Sequence, residues 1–384
     1  MSLDINAKMT GTGRVLRVGI VGAGEVSQVI HLPVLSLLSH LYTVTAICDL
    51  SRKNAEHCAS KFHIPLVTTN PGEVFQSTNV DVVFVLTSDE FHEPYVTAAL
   101  EAGKHVMVEK PITLSLPSAE RILAAEAKAN GPIVFVGYMR RYAASFTNTF
   151  KREVASIPRI LYARVRDFSG PNAKFVNESG TFQVKNIDDI PSTAGEERNR
   201  RLEALYQEAF PGQTITQEHK SLNRFLGSLG SHDISLMREV LGFPESVAGI
   251  SVNEPFYSAI FNYRNKNGES FACTYESGID AVPEFDAHLA VYGKDKRVEI
   301  MYDSPYVKGL PIKVKVWELN EAGEMQTREM IGSYEDAYTA ELKELYQCIV
   351  DGKSVKTTVR DALQDLKLYD MMYQRWHEGR DRTS

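Results

Sequence analysis

The sequence predicts an α/β protein: a doubly wound parallel sheet followed by a C-terminal α+β domain with a large open, mainly antiparallel sheet. In residues 15–137, short and nearly continuous apolar runs alternate with helical patterns, as in parallel strands that are covered on both faces. After Tyr138 the runs change to a period of two, which is typical of strands with one solvated face. A chain of 384 residues is also large for a single hydrophobic core, so we expect two domains.

The first domain is predicted to span residues 14–138, after a disordered lead of residues 1–13 that is polar and contains glycine and threonine. Its parallel strands are predicted at residues 18–21, 44–47, 82–85, 105–108 and 133–136. Helix-like patterns between the strands include residues 93–102 and 118–129. This alternation predicts that consecutive strands lie parallel, with helices on both faces of the sheet.

The second domain is predicted to span residues 139–384. Its alternating strands are predicted at residues 161–166, 259–263, 271–275, 287–291 and 312–316. The pair Asn267-Gly268 between two of these strands is a signal for an antiparallel hairpin. Two helices close the chain. The first places Leu342 and Leu345 on one apolar face, and the second begins at Thr358, whose hydroxyl can cap it. The last helix is expected to pack back on the first domain.

Residues 171–222 are the least regular part of the chain, polar apart from a charged helical pattern at residues 195–210. Two interpretations are open for this excursion. The first is a solvated surface helix. The second is a segment that covers the substrate cleft or forms a subunit contact.

Composition and charge exclude several classes of function. The net charge of -7, with no basic cluster interleaved with aromatic residues, argues against a nucleic-acid-binding surface. No apolar run approaches the ~20 residues of a membrane span, so no membrane partner is expected. The four cysteines are scattered without metal-ligand spacing. We therefore expect reduced thiols, a cytoplasmic location and no metal site.

A glycine turn in the first domain has the features of a dinucleotide-binding site of the Rossmann type. Gly22 and Gly24 follow an apolar strand and precede a helical pattern, so that the backbone amides of the helix start, at Glu25 and Val26, are placed to hold a pyrophosphate. Ser27, which is also small, replaces the third glycine of the usual fingerprint.

The residues after the second strand bear on the choice between NAD and NADP. Asp49 is placed to accept hydrogen bonds from a ribose 2′-hydroxyl and to repel a 2′-phosphate, which favours NAD. Arg52 leaves NADP as the alternative, because a guanidinium there can hold a 2′-phosphate. Asp49 as a simple turn residue is the competing interpretation.

A lysine follows the fourth predicted strand, in the tripeptide Glu109-Lys110-Pro111. Lysine ordinarily titrates near pKa ~10.4, and burial or a nearby cation can lower its pKa toward neutrality. Such a group can transfer a proton in an alcohol–ketone redox reaction beside a nicotinamide. The alternative is an exposed lysine before a proline that starts a helix.

With Gly22, Gly24, Asp49 and the tripeptide 109–111 in this order, the chain resembles the Gfo/Idh/MocA oxidoreductases, which include glucose–fructose oxidoreductase and inositol dehydrogenase. Further matching segments are 87–92 (Thr-Ser-Asp-Glu-Phe-His), 102–106 (Ala-Gly-Lys-His-Val), 137–142 (Gly-Tyr-Met-Arg-Arg-Tyr) and 230–232 (Gly-Ser-His). The resemblance covers roughly residues 15–375, and its motifs are specific for the family but not for a substrate.

The resemblance implies hydride transfer between a nicotinamide and a carbon of a small sugar or polyol, in subunits that pair as a homodimer or homotetramer. It implies that Lys110 and His232 are catalytic and that Arg140 and Tyr138 contact the substrate. Arg141 is either a further substrate contact or an ion-pair anchor between the domains. Together with the glycine turn, the predicted cofactor-binding residues are Gly22, Gly24, Glu25, Val26, Asp49, Arg52, Thr87, Ser88, His92, Glu109 and Lys110.

The chain departs from the family pattern around the histidine. The family often has aspartates four residues before and three residues after it, and here Ser228 and Ser235 stand at those positions. A new carboxylate, Asp233, adjoins His232. Ser228 and Asp233 are predicted to lie at the substrate site. Asp233 either takes over part of the lost aspartate's role or caps the following helix.

The leading hypothesis is an NAD(P)-dependent oxidoreductase that acts on a secondary hydroxyl or ketone of a sugar, inositol or related polyol, with Lys110 as general acid and base. One alternative is a glycosidase on the same fold that oxidises its sugar transiently and retains NAD. The other is a non-enzymatic regulator that senses a dinucleotide or metabolite.

Overall fold

The computed structural model describes residues 13–381, so the predicted lead of residues 1–13 lies, except for Gly13, outside the described residues. Within this part of the chain one sheet has six parallel strands in the order β3-β2-β1-β4-β5-β6. The strands are β1 (Leu16–Val21), β2 (Tyr42–Cys48), β3 (Leu66–Thr68), β4 (Val82–Val85), β5 (His105–Glu109) and β6 (Val134–Gly137). This is the predicted doubly wound sheet, and its order changes direction between β1 and β4.

Helices cover both faces of this sheet. They are α1 (Leu32–Leu37, preceded by a π-helical turn Ser27–His31), α2 (Arg52–Phe62), α3 (Pro71–Gln76), α4 (His92–Glu101) and α5 (Leu116–Ala129). The hydroxyls of Ser51 and Ser115 accept backbone N–H groups at the starts of α2 and α5, which fixes where these two helices begin. The three-residue strand β3 was not predicted, because it is too short to show a periodic pattern.

The second sheet has eight strands among the described residues, in the order β14-β13-β12-β11-β7-β10-β9-β8. The strands are β7 (Tyr162–Ser169), β8 (Ser246–Asn253), β9 (Phe256–Arg264), β10 (Ser270–Ile279), β11 (Phe285–Tyr292), β12 (Lys296–Tyr302), β13 (Lys313–Leu319) and β14 (Met325–Ile331). Only β7 and β10 pair in parallel. The predicted Asn267-Gly268 turn joins β9 to β10, with Gly268 at φ +91°. The prediction of a large, mainly antiparallel sheet is confirmed.

The second part of the chain also contributes helices. They are α6 (Lys151–Ala155), α7 (Asn172–Asn177), α8 (Thr193–Ala209), α9 (Gln217–Phe225), α10 (Ser231–Leu241), α11 (Ala337–Val350) and α12 (Val359–Asp381). Helix α11 packs on the first sheet: the Tyr42 hydroxyl donates to the Leu342 carbonyl at 2.6 Å, and the Tyr346 hydroxyl donates to the Arg14 carbonyl at 2.7 Å. Helix α12 lies against α5 and β6 as well as against β8. The two sheets are therefore joined through both closing helices.

A buried ion-pair network holds α10 against α12. Arg141 pairs with Glu239 at 2.6 Å and with Asp361 at 2.5 Å. Arg238 pairs with Asp361 and Asp365, each at 2.8 Å. Arg141 is thus an ion-pair residue, but its pairs lie within the second part of the chain and do not anchor that part to the first domain.

The excursion between β7 and α10 packs on the first domain. Helix α8 is charged, yet Leu202, Leu205 and Tyr206 are buried on one of its faces against Leu114. Arg198 on this helix pairs at 2.8 Å with Glu90, which is itself buried. A fully solvated surface helix is therefore not what the structure contains.

Candidate active site

The glycine turn after β1 lies close to the backbone that follows β4. Gly22 has φ +104°, and a Cβ at this position would lie 2.6 Å from the Leu86 carbonyl oxygen, so the turn admits no side chain there. The Ser27 hydroxyl donates to the Gly22 carbonyl and ties the following helical turn to it. A Cβ on Gly24 would meet nothing within 4 Å. The turn therefore leaves open space beside the helix start.

That open space belongs to a cavity of about 240 Å³ at the carboxyl ends of the strands. The lining residues include Gly22, Gly24, Asp49, Thr87 and Ser88. The Thr87 hydroxyl is buried and has no hydrogen-bond partner in the protein. A turn that a side chain would fill and an orphaned hydroxyl beside it both fit a dinucleotide held at this edge of the sheet.

Asp49 stands at the end of β2 and faces the glycine turn. Its carboxylate accepts the Ala23 backbone N–H at 2.7 Å and the Ser51 N–H at 2.8 Å. Burial raises the pKa of Asp49, and these two hydrogen bonds oppose that rise. Arg52 pairs instead with Glu56 on the solvent side at 2.7 Å. Asp49 therefore lines the cavity while Arg52 is engaged elsewhere.

The remaining residues predicted near the cofactor occupy different places. Glu25 is exposed and 3.4 Å from the Gln183 amide nitrogen, and Val26 packs on the core of the first domain. The Ser88 hydroxyl donates to Glu90. The His92 ring lies between two carbonyls, those of Pro111 at 2.7 Å and Thr87 at 3.1 Å. His92 thus connects the ends of β4 and β5.

Lys110 follows β5 and reaches across to the second part of the chain. Its Nζ donates to the Ser228 carbonyl at 2.6 Å, and its backbone N–H donates to the Glu109 carboxylate at 3.1 Å. The other oxygen of Glu109 pairs with His31 at 2.8 Å in the buried interior. Burial lowers the pKa of Lys110, Arg140 adds to this effect, and the carboxylates of Glu109 and Asp89 oppose it. The amine is therefore easier to deprotonate than an ordinary lysine.

His232 lies in the first turn of α10, directly after the π-helical turn Leu226–Gly230 that carries Ser228. Its Nδ1 atom is buried and has no partner in the protein. Burial lowers the pKa of His232 well below its ordinary value, and the charges of Lys110 and Arg140 lower it further. The structure thus places a neutral imidazole with a free nitrogen beside Lys110.

Arg140 is only 3 % exposed and lies between two carboxylates. It donates to Asp233 at 2.6 Å and to Asp167 at 2.9 Å, and its guanidinium stacks over the Tyr302 ring at 5.2 Å. Asp233 makes no capping hydrogen bond at the start of α10, so of the two interpretations for this residue the cap is wrong. Both sides of the Arg140 guanidinium are therefore engaged by carboxylates, those of Asp233 and Asp167.

The two carboxylates of this triad each retain an unused oxygen. Oδ2 of Asp233 and Oδ1 of Asp167 are buried without a hydrogen-bond partner. Burial raises the pKa of Asp233 well above its ordinary value, and Arg140 opposes the rise while Asp167 adds to it. One guanidinium thus faces two carboxyl groups, each of which keeps one oxygen that no protein group bonds.

Sequence reasoning missed Asp167. The sequence did carry a signal. Strand β7 alternates, with Ala163, Val165 and Asp167 on its buried face, and a charged residue at a buried position of such an alternation is unusual. Two other residues predicted at the substrate site, Tyr138 and Ser228, make contacts within the protein. Tyr138 is 2 % exposed, and its ring lies under Arg141 at 5.5 Å. Ser228 offers its carbonyl to Lys110, while its own hydroxyl oxygen lies 3.5 Å from the Phe225 carbonyl.

Residues 13–381 contain neither a candidate membrane span nor a candidate metal site. No helix there is long and apolar enough to cross a membrane. No group of three or more His, Cys, Asp or Glu side chains in this part of the chain is arranged to hold a metal ion.

Comparison with known proteins gives matches for both parts of the chain. Residues 16–138 match the family model described as the oxidoreductase family, NAD-binding Rossmann fold, and residues 216–383 match its C-terminal alpha/beta domain. An inositol 2-dehydrogenase of Paracoccus denitrificans is 33% identical over 156 residues, which are 40% of this chain and 46% of that protein. A myo-inositol 2-dehydrogenase of Thermotoga maritima is 23% identical over 364 residues, 92% of this chain and 94% of that protein.

Solved structures share the fold over nearly the full length. A levoglucosan dehydrogenase in complex with NADH and levoglucosan has a TM-score of 0.71 at 16% identity, covering 95% of this chain and 98% of that one. An aldose-aldose oxidoreductase of Caulobacter crescentus has a TM-score of 0.69 at 19% identity, with the same two coverages of 95% and 98%. At these identities the likeness establishes the fold alone.

Proposed function

The chain belongs to the Gfo/Idh/MocA oxidoreductase family, and from this premise we propose that it is an NAD-dependent dehydrogenase of a sugar, inositol or related polyol. The observation that carries the proposal is the hydrogen bond from Lys110 Nζ to the Ser228 carbonyl, which joins the two parts of the chain four residues before His232. The names of the inositol 2-dehydrogenases among its relatives support a cyclic polyol or sugar as the substrate class.

Lys110 is the proposed general acid and base. A bound NAD supplies the acceptor for the hydride that leaves the substrate carbon. The neutral Lys110 amine takes the proton of the secondary hydroxyl in the oxidation, and its ammonium form returns the proton in the reverse reaction. Burial favours the neutral amine, and the Ser228 carbonyl at 2.6 Å fixes where Nζ lies. Lys110 is thus prepared for proton transfer before the substrate binds.

The neighbouring groups are proposed to hold the substrate. The buried Nδ1 of His232 lacks a partner, and a substrate hydroxyl would satisfy it. Asp233 and Asp167 offer the acceptors for further hydroxyl groups, and Arg140 keeps both carboxylates in place. In this proposal these groups together replace the aspartate that the family often has at the position of Ser228. Arg140 is accordingly a positioning residue in this proposal.

NAD is the proposed cofactor. Asp49 would accept the ribose 2′-hydroxyl, and the open space next to Gly24 would receive the pyrophosphate at the helix start. Thr87 would donate or accept a hydrogen bond with its free hydroxyl. Gly22 and Ser88, which also belong to the predicted cofactor set, line the same cavity.

A spectroscopic screen tests the proposal. Formation of NADH at 340 nm would be followed with inositols, aldoses and sugar acids, each with NAD and with NADP. For the substrate found, Lys110→Met should lower kcat by roughly 10²–10⁴-fold while the Kd for NADH stays within about twofold. Lys104→Met is the matched control, because the Lys104 ammonium also donates to main-chain carbonyls, those of Ser77 and Val80, but away from the cleft.

The outcomes separate the hypotheses. Full turnover by the Lys110 variant would refute the acid–base assignment. Hydrolysis of a glycoside without NADH accumulation would favour the glycosidase, and dinucleotide binding without turnover of any compound would favour the regulator. The Lys104 variant is expected to keep wild-type kcat.

We also propose a homodimer or homotetramer that forms through the open face of the second sheet. Exposed apolar side chains on this sheet include Ile260 and Leu319, which are 44% and 52% exposed. Helix α10 covers the other face, against β7. Light scattering coupled to gel filtration measures the state, and charge introduced by Ile260→Glu should shift it toward the monomer, whereas a monomeric wild-type chain would refute this assembly.

A further inference from the structure

One segment of the excursion, residues 181–190, here called the strap, lies along the first domain beside the glycine turn. The Gln28 side chain exchanges hydrogen bonds with the Val184 backbone, both at 2.9 Å. The Asn54 side chain does the same with the Asn186 backbone, at 3.1 Å and 2.8 Å. Hydrogen bonds between the strap's main chain and these two side chains thus fix it to the helical turn after β1 and to helix α2.

The end of the strap brings two carboxylates to the start of α2. Asp189 accepts the Lys53 backbone N–H at 3.0 Å. Asp188 forms an ion pair with the Lys53 ammonium. The hydrogen bonds from Ser51 and Lys53 lower the pKa of Asp189, so this carboxylate is ionised at neutral pH. The start of α2 therefore carries negative charge from another part of the chain.

The chain's own groups already use the hydrogen-bond donors at this helix start. The Ser51 N–H donates to Asp49 at 2.8 Å, the Lys53 N–H to Asp189, and the Asn54 N–H to the Ser51 hydroxyl at 3.1 Å. When its backbone N–H groups are free, the start of the helix after the second strand attracts an anion. In a Rossmann fold the 2′ position of the adenosine ribose lies at this helix start. A 2′-phosphate at that position needs hydrogen-bond donors, and the carboxylates of Asp49 and Asp189 already accept two of them.

The strap also forms part of the cavity wall. Ile190 lines the cavity together with Asp49, Leu50 and Gly24. The neighbouring Asp189 has one buried oxygen, Oδ1, without a hydrogen-bond partner. The strap therefore contacts the space in which the adenosine half of the cofactor would lie.

We propose that Asp189, carried to the first domain by the strap, is a second specificity-determining residue that acts with Asp49 to exclude the 2′-phosphate of NADPH. The inference rests on the proposed dinucleotide site. Asp49 accepts the ribose hydroxyls, and Asp189 blocks the backbone N–H that a phosphate would use. Asp188 pairs with the Lys53 ammonium. Selectivity for NADH thus depends on a segment far away in sequence from the fingerprint.

Titration of NADH and NADPH against the full chain tests this, followed by the fluorescence of the reduced nicotinamide and with no sugar present. Asp189→Asn keeps the size of the side chain and removes its charge. It should lower the ratio of the NADPH Kd to the NADH Kd about tenfold, through tighter NADPH binding. In the double variant Asp188→Asn/Asp189→Asn the ratio should fall further, because Lys53 becomes available to the phosphate. Glu178→Gln, an exposed carboxylate on the same excursion, is the matched control and should leave the ratio unchanged.

The results distinguish this inference from the proposed reaction. An unchanged ratio in folded variants, or an equal loss of affinity for both cofactors, would overturn the role of Asp189. Failure of the wild-type chain to bind either cofactor would overturn both proposals. Binding of NADH without oxidation of any polyol would contradict only the proposed reaction, while the affinity ratios would still decide on Asp189.

Discussion

Replacing Arg140 by Met is the perturbation whose effect the structure specifies most fully. The guanidinium is 3 % exposed and pairs with Asp233 at 2.6 Å and with Asp167 at 2.9 Å. Methionine occupies much of the same space but leaves two buried carboxylates without a counter-charge. Removing one partner of a buried ion pair costs about 3–5 kcal/mol, so we expect the free energy of unfolding at pH 7 to fall by that amount.

The loss should depend on pH in a definite direction. Burial already raises the pKa of Asp233, and Arg140 opposes the rise, so the variant raises the pKa of Asp233 further. A carboxyl group whose pKa is higher in the folded state destabilises the protein when ionised, and this penalty disappears below the unfolded-state pKa of about 3.9. The loss should therefore shrink between pH 7 and pH 4.5. Asp233→Asn in the same chain should recover part of the loss at pH 7.

Urea unfolding, followed by the fluorescence of Trp317 and Trp376, measures these changes in the second part of the chain. The variants Arg140→Met, Asp233→Asn and their double form a thermodynamic cycle. Arg152→Met is the control, because Arg152 is 65 % exposed and pairs with Glu153 only at 3.4 Å. A loss below about 1 kcal/mol, or an equal loss at both pH values, would refute the account of the triad as a buried, charge-coupled unit.

Further predictions concern the turn, the lysine and a surface cluster. Gly22→Ala should reduce both stability and NADH affinity, since its Cβ would lie 2.6 Å from the Leu86 carbonyl oxygen, whereas Gly24→Ala should reduce affinity alone; calorimetry and cofactor titration would compare them. In pH–rate profiles kcat/KM for oxidation should rise with pH to a plateau whose pKa lies below about 10.4 and belongs to Lys110, and a profile unchanged by Lys110→Arg would contradict this. Burial raises the pKa of Glu153, but ion pairs, among them that with Lys296, prevail and lower it to about 2. About 1–2 kcal/mol of stability, present above pH 4.5, should therefore be lost as the pH falls toward 2, and Glu153→Gln should abolish that part of the acid unfolding curve.

The first sheet was largely predictable because its strands are apolar throughout. The predicted runs at 18–21, 44–47, 82–85 and 105–108 lie within β1, β2, β4 and β5, and the run at 133–136 overlaps β6. In the second sheet β8, β12 and β14 were missed. The register of β8 shifts between Val247 and Gly249, which interrupts its alternation, and β14 is a polar edge strand. Strand β12 did carry a signal, since Val298, Ile300 and Tyr302 alternate with polar residues.

The site was predictable where a residue belongs to a local motif. Lys110 and His232 each stand in a short segment whose spacing can be recognised without the fold. Asp167 and the partners of Arg140 could not be found in this way. They come from a strand and a helix that are distant in sequence, and only the packing of β7 against α10 brings them to one guanidinium.

The sequence by itself determined the two-part α/β architecture, the glycine turn and the lysine, because apolar periodicity and turn chemistry act over a few neighbouring residues. Only the tertiary structure decided how those groups are charged and paired. Burial lowers the pKa of Lys110, Asp167 joins the Arg140 triad, and the strap brings Asp189 to α2. Electrostatic effects of this kind depend on distance and desolvation in the folded chain, and neither follows from the order of residues.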